Sequence, residues 1–211
     1  MTDGLFVTGT DTGVGKTWVA CRLLRHLVAR GMAVQVRKPV ESGCRQGDAG
    51  LVPADALALK QAAGSDEPLA AICPYRYAAA ASPPRAAALV GETLQLRDLL
   101  DACHPQEARW RLVEGAGGFC SPIAGDGLNA DLAAALGLAV LVVAPDRLGA
   151  VNQVLLTLEA IERRGLTTTA VFLNAIAPPP PQLNNAAELR QWTCVPVVSQ
   201  IPALADLVVS R

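Results

Sequence analysis

The sequence has little of what many reaction classes require. Its two histidines, His26 and His104, lie near neither each other nor any motif. Its six cysteines, at positions 21, 44, 73, 103, 120 and 194, include no CxxC pair, which excludes a zinc knuckle and a thioredoxin-type redox motif. An excess of basic charge is also missing. Eighteen Lys and Arg stand against nineteen Asp and Glu, for a net charge of −1, and non-specific nucleic-acid binding needs a basic face. The longest apolar run, around Leu136 to Pro145, falls far short of a membrane span. No secretory signal is expected before the first strand, so the reading is a cytoplasmic protein with reduced thiols, most of them small buried apolar residues.

What is present is apolar and periodic. Residues of the hydrophobic class make up 51% of the chain, which excludes disorder. Short β-rich runs are expected at Leu5–Thr8, Ala33–Val40, Trp110–Glu114, Ala139–Ala144, Ala170–Leu173 and Val195–Val198. Most are continuous rather than alternating, as in strands covered on both faces. Helix-like segments intervene at Thr17–Arg30, Ala54–Ala63, Pro84–Cys103, Asn129–Ala135, Ala150–Arg164 and Asn184–Trp192, and Gly31 and Gly165 serve as C-terminal caps. Strand–helix alternation predicts a doubly wound, mostly parallel α/β sheet with helices on both faces. The expectation is a single domain over residues 1–211, with a stiff proline loop at Pro178–Pro181. In such a sheet ligands bind beyond the carboxyl ends of the strands. Four strand ends carry polar clusters: "GTDTGVGKT", "KPVESG", "EGAGGFCSP" and "APDRLGAVN". All four are expected on one rim.

The first cluster, Gly9 to Thr17, follows a strand and opens a helix. Its glycines let successive N–H groups face phosphate oxygens, and the helix adds its positive end. In that reading Lys16 reaches the β- and γ-phosphates and the Thr17 hydroxyl ligates Mg²⁺. The first glycine comes one residue early, with Thr10 where Gly is usual, so the loop is a long variant of the P-loop. Lys38 closes the second strand, where a buried cation needs an anionic partner; Ser42 and Gly43 follow it. Asp55 fits ordinary helix capping as well as a metal ligand. Glu114 ends the third long strand, where P-loop enzymes place a carboxylate toward Mg²⁺, and Gly115, Gly117 and Gly118 let the backbone pass close to a ligand. Leu148 to Asn152 form a helix start suited to an anion or open to water. Asn174 ends a strand as either a base-reading amide or a turn residue.

Taken together, "FVTGTDTGVGKT", "KPVESG", "ADALAL", "SPP" at Ser82–Pro84, "VEGAGG", "LGAVN" and "FLNAIAPP" resemble the dethiobiotin synthetase family, in family order over about residues 5 to 204. The resemblance implies a homodimeric P-loop fold and an ATP- or other NTP-driven ring closure on 7,8-diaminopelargonic acid with CO₂ or bicarbonate. By the same resemblance Gly13, Val14, Gly15, Lys16, Thr17 and Trp18 form the phosphate loop. Lys38, Lys16 and Thr12 are catalytic, and Thr12, Lys38, Ser42 and Gly118 meet the substrate. Gly149, Ala150, Val151 and Asn152 receive the substrate carboxylate from the neighbouring subunit. Asp55, Glu114, Gly115, Ala116, Gly117 and Asn174 contact the nucleotide, as does a second loop at Pro202, Ala203 and Leu204. Thr17, Asp55 and Glu114 hold Mg²⁺. Two departures stand out. Gly13 sits where many relatives carry Glu, and Ala175 follows Asn174 where some carry Asp. The alternatives are another ATP-dependent P-loop synthetase and a non-catalytic nucleotide-binding regulator. A partitioning ATPase would carry a "KGG" loop where this chain has "TDTG", and an amidotransferase-type synthetase would need a glutaminase domain.

Overall fold

The computed structural model describes residues 4–104, 110–177, 180 and 182–210. Most of the Pro178–Pro181 loop expected from sequence therefore lies outside the described residues. In chain order, β1 (Gly4–Gly9) runs through the glycine loop into α1 (Lys16–Ala29). Next come β2 (Val34–Arg37), β3 (Val40–Ser42), a hairpin of β4 (Arg45–Gly47) and β5 (Gly50–Val52), α2 (Ala54–Ala62) and α3 (Leu69–Ile72). Then follow β6 (Tyr75–Tyr77), α4 (Pro83–Ala88), α5 (Leu96–Ala102), β7 (Trp110–Gly118), β8 (Pro122–Ala124), β9 (Gly127–Leu128) and α6 (Asn129–Leu136). The last third holds β10 (Ala139–Pro145), α7 (Ala150–Glu162), β11 (Thr168–Asn174), α8 (Asn185–Trp192), β12 (Val197–Val198) and α9 (Ile201–Val209).

Six strands form one sheet in the order β12-β11-β10-β1-β7-β2, and every neighbouring pair is parallel. The period of two is present but hidden, because both faces are apolar. Along β1, Leu5 and Val7 enter one core and Phe6 the other. Along β10, Leu141 and Val143 alternate in the same way with Val140, Val142 and Ala144. The first core is closed by α1, α2 and α9 through Leu23, Leu24, Leu27, Leu59, Leu204 and Val208. The second is closed by α5 to α8 through Leu99, Leu132, Val154, Ile161 and Leu189. Each fully buried Leu or Val contributes about 1.5–3 kcal/mol over its exposed state, so the two cores fix which helix lies on which face.

Gly31 and Gly165 cap their helices as expected, at φ 82° and 66°. The Met32 N–H reaches Leu27 O and the Gly31 N–H reaches Val28 O, which closes the last turn of α1. Two segments differ from the sequence reading. The run Ala33–Val40 breaks at Lys38-Pro39 into β2 and β3, since Pro39 has no N–H for a ladder; β3 then leaves the main sheet to pair with β6. The helix expected over Pro84–Cys103 is two short helices. Gly91, at φ 77°, ends the first, and the Asp98 carboxylate, accepting the Gln95 N–H at 2.9 Å, steadies the start of the second. The α9 helix lay unrecognised in "IPALADLVV". No helix among the described residues is long and apolar enough to cross a membrane, and none of the six cysteines is paired.

Candidate active site

All four polar clusters reach one rim, at the carboxyl ends of β1, β2, β7 and β10. The early glycine now has a reason. Between Gly9 and Gly15 the loop folds back on itself so tightly that a Cβ on Gly9 would stand 2.6 Å from Val14 Cγ2. Val14 itself plugs into the core at 3% exposure. The residue that must be glycine is thus the one beneath Val14. Thr10 instead continues the strand, its N–H on Val143 O at 3.0 Å. Gly15 begins α1 in the left-handed region at φ 89°, and a Cβ there would overlap the Asn174 amide. Asn174 braces the loop from β11, its Nδ2 donating to Val14 O at 2.9 Å.

Two lysines are buried beside this loop, at 7% exposure for Lys16 and 3% for Lys38. Lys38 Nζ donates to Glu114 Oε1 at 2.7 Å and to Gly115 O at 3.0 Å, and lies 3.6 Å from Asp55 Oδ2. The Thr17 hydroxyl donates to the same Glu114 Oε1 at 2.8 Å. Thr17 and Lys38 therefore share one carboxylate oxygen of a residue 97 and 76 positions further along the chain. The other, Oε2, is buried and takes no hydrogen bond among the described residues. Burial alone would lower the Lys38 pKa, but the facing carboxylates of Glu114 and Asp55 more than reverse this and hold it above the ordinary lysine range. Lys16 moves the other way. Burial, then the Lys38 charge, pull it from 10.5 down to about 8 against the opposing carboxylates. Its Nζ rests on Asp11 O at 3.2 Å, inside its own loop.

These groups border a cleft of about 340 Å³ lined by Thr12, Gly13, Gly15, Lys16, Thr17, Lys38, Glu41, Ser42, Asp55, Ala116 and Gly117. A second cleft of about 340 Å³ shares Thr12 and Gly13 and adds Asp11, Val14, Pro145, Asp146, Arg147, Asn174, Ile176, Ala177 and Pro180. Ser42 donates its hydroxyl to Ala81 O at 2.7 Å. Trp18 stands half-exposed outside both clefts, with the Arg22 guanidinium 4.3 Å over its ring. Gly118 follows Gly117 at the end of β7, outside the lining. Gly149 caps α7 at φ 88°, Ala150 is buried, and Asn152 is exposed; this helix start lines neither cleft of its own chain. Pro202, Ala203 and Leu204 form the first turn of α9 rather than a loop. Pro202 and Ala203 are exposed, while Leu204 is fully buried in the core.

The sequence reading missed two residues. Asn129, fully buried at the start of α6, threads the glycine-rich exit of β7. Its Oδ1 accepts the Ala116 N–H at 2.9 Å, and its Nδ2 meets the carbonyls of Ala116, Gly118 and Ser121 at 2.7, 3.1 and 3.0 Å. Glu41, 7% exposed, accepts the backbone N–H groups of Asp55 and Ala56. The only local signal for Asn129 is its place before an apolar helix. Glu41 offers none, because its partners lie 14 and 15 residues on.

Thr17, Glu114 and Asp55 offer one hydroxyl and two carboxylates, hard oxygen donors of the kind Mg²⁺ takes together with phosphates. The unpaired Glu114 Oε2 fits that use. No cluster of three or more His, Cys, Asp or Glu that could cage a metal occurs among the described residues, so such an ion would lean on the nucleotide for its remaining ligands.

The chain is similar to known proteins over nearly its whole length. A family model described as an AAA domain matches residues 3–211. The ATP-dependent dethiobiotin synthetase BioD of Anaeromyxobacter dehalogenans (strain 2CP-C) is 46% identical over 208 residues, covering 97% of this chain and 92% of the relative. That of Ruthia magnifica subsp. Calyptogena magnifica is 42% identical over 194 residues, covering 92% and 89%. Among solved structures, the signal recognition particle receptor FtsY from Elizabethkingia anophelis aligns with a TM-score of 0.52 at 17% identity, over 98% of this chain and 64% of that one. That likeness speaks to the P-loop fold alone. By its match over nearly the whole chain, this protein belongs to the ATP-dependent dethiobiotin synthetase family.

Proposed function

We propose that the chain is a cyclo-ligase that makes dethiobiotin from 7,8-diaminopelargonic acid, CO₂ and ATP or another nucleoside triphosphate, as one domain acting in a cytoplasmic homodimer. The observation that carries this reading is the convergence of two buried lysines, Lys16 and Lys38, on a cleft bordered by Thr17, Asp55 and Glu114. No histidine or cysteine lines that cleft, and the proposed reaction needs neither. One amine of the substrate adds to CO₂ and releases a proton, giving a carbamate. A carbamate oxygen attacks the γ-phosphorus while the bond to the departing nucleoside diphosphate breaks. The second amine then attacks the carbonyl carbon, a C–N bond forms, and phosphate leaves as that nitrogen loses its proton. Every stage is anionic, so fixed cations and backbone N–H groups supply the stabilisation.

In this reading Lys38, held charged by Glu114 and Asp55, meets the carbamate and the transferred phosphate. Lys16 leaves Asp11 O for the phosphates. Thr12 and Ser42 line the substrate side of the same cleft, with Gly118 behind them. Thr17, Asp55 and Glu114 hold Mg²⁺, which when bound would neutralise phosphate charge. The nucleoside lies toward the second cleft, near Asn174, with Pro202 and Ala203 on the adjoining helix turn. Gly149 to Asn152 line neither cleft of their own chain, and Leu148, just before α7, and Leu156, within it, are exposed at 82% and 58%. Both facts support a partner subunit that receives this surface and borrows the helix start for the substrate carboxylate.

Phosphate release with Mg²⁺ and bicarbonate, with and without the diamine and with ATP, CTP and GTP in parallel, tests this reading. Diamine-dependent release together with dethiobiotin by mass spectrometry is the expected result. Hydrolysis indifferent to the diamine would leave the phosphate loop correctly assigned and the substrate wrongly assigned.

A further inference from the structure

The N-terminus of α2 has no cap of its own. Its capping position is Pro53, which has no side-chain donor or acceptor, and no side-chain cap bond is made there. The amides of the first helical turn normally require one. Here a carboxylate from another element serves them. Glu41, in β3, accepts the Asp55 N–H at Oε1 (3.1 Å) and the Ala56 N–H at Oε2 (3.0 Å). The side chain is almost fully buried and uses both oxygens. Its own strand is held in turn: Glu41 pairs with Arg76 of β6, and the adjoining Ser42 bonds Ala81 O.

The residue so fastened is Asp55. Its carboxylate is half-exposed to the cleft and stands 3.6 Å from Lys38 Nζ. A negative charge on the positive end of a helix also stabilises that end. We infer that Glu41 is a positioning residue, which fixes the first turn of α2 so that the Asp55 carboxylate stands over Lys38 at the phosphate side of the cleft. Glu41 is not itself a ligand, because both of its oxygens are committed to backbone amides. The inference rests on the reading of Asp55 as a Mg²⁺–nucleotide ligand given above.

The test is a double-mutant cycle read by binding. The affinity of the full-length protein for a non-hydrolysable ATP analogue is measured by titration calorimetry, with Mg²⁺ and with EDTA, for wild type, E41Q, D55N and the double variant. E41Q is expected to weaken Mg²⁺-dependent binding about tenfold, the scale on which partners of metal ligands act. It should leave binding in EDTA unchanged and add nothing in the D55N background. Equal losses with and without Mg²⁺, additivity with D55N, or no loss at all would overturn it. D55N alone separates the two ideas. If D55N weakens Mg²⁺-dependent binding and E41Q does not, the Glu41 inference fails and the Asp55 reading survives. If D55N is silent, the reading of Asp55 fails and takes the inference with it. Hydrogen exchange gives a second measurement should E41Q fold poorly. In E41D the shorter carboxylate should speed exchange at Asp55 and Ala56 while the core of α2 stays protected; unchanged exchange at those two amides would overturn the proposal.

Discussion

The two clefts that meet at Thr12 and Gly13 have the same volume and opposite chemistry. One is lined by Lys16, Lys38, Glu41 and Asp55; the first three are buried and partnered through Asp11, Glu114 and the α2 amides, and Asp55 is half-exposed beside Lys38. The other brings the apolar Val14, Pro145, Ile176, Ala177 and Pro180 together with Asp11, Thr12, Asp146, Arg147 and Asn174. Charge buried without partners is expensive, so the first cleft requires a rigid frame of β2, β7 and α2. The second is framed by the ends of β10 and β11 at Pro145 and Asn174 and by the loop residues that follow them. Under the proposed function, the difference would separate two jobs: handling transferred phosphate in the first cleft, and seating the nucleoside in the second.

Breaking the charged cleft should have the largest effect. Lys38→Met is expected to lower turnover on the order of 10²–10³-fold, the scale of one lost transition-state donor. It also leaves Glu114 buried without its cation, which costs about 3 kcal/mol. Urea unfolding checks this, and adding Glu114→Gln should restore much of the stability and none of the turnover. Full stability of the single variant would mean that the pair is solvated and the contrast between the clefts is false. Asn129→Ala comes next. It strands several part-buried backbone groups of Ala116, Gly118 and Ser121 and should cost about 2 kcal/mol in the same unfolding experiment.

In the second cleft the changes should be gentler. Ile176→Asp removes an apolar contact and is expected to weaken ATP binding about fivefold, near 1 kcal/mol of lost apolar burial. Binding of inorganic triphosphate should be unaffected. Equal loss for both ligands would erase the division of labour. The smallest signal is a proton. Lys16 is held at about 8 by burial first and the Lys38 charge second. Bound phosphate should raise that value. Well below pH 8 the lysine is protonated both free and bound, so no proton moves. Between about 8 and the ordinary lysine value of 10.5, the free protein has lost the proton that the complex keeps, so binding takes up a fraction of one proton. Calorimetry in buffers of different ionisation enthalpy measures it, and Lys16→Met should abolish it.

The elements most legible in the sequence were those whose signals are local. The continuous apolar runs of β1 and β10 announced a sheet covered on both faces, and "RG" and "RRG" ended α1 and α7 with Gly31 and Gly165 as expected. Where a local signal competed with a neighbour, the reading blurred. Pro39 cut a strand that hydropathy had joined, and Gly91 divided an expected helix. Pro202 lies inside the first turn of α9, where a proline is tolerated because that turn's N–H has no intrahelical partner anyway.

By itself, then, the sequence determined the doubly wound α/β class, the loop that opens α1, and the convergence of four polar strand ends on one rim. These follow from periodicity, from glycine and proline chemistry, and from the rule that parallel strands point their carboxyl ends the same way. Only the tertiary structure decided which partners those residues have. It placed Thr17 and Lys38 on a single Glu114 oxygen, set Asn174 against Val14, threaded Asn129 through the β7 exit, and brought Glu41 to the uncapped end of α2. A hydrogen bond between distant residues leaves no periodic trace along the chain, because its energy depends on burial and geometry that exist only once the two cores have closed.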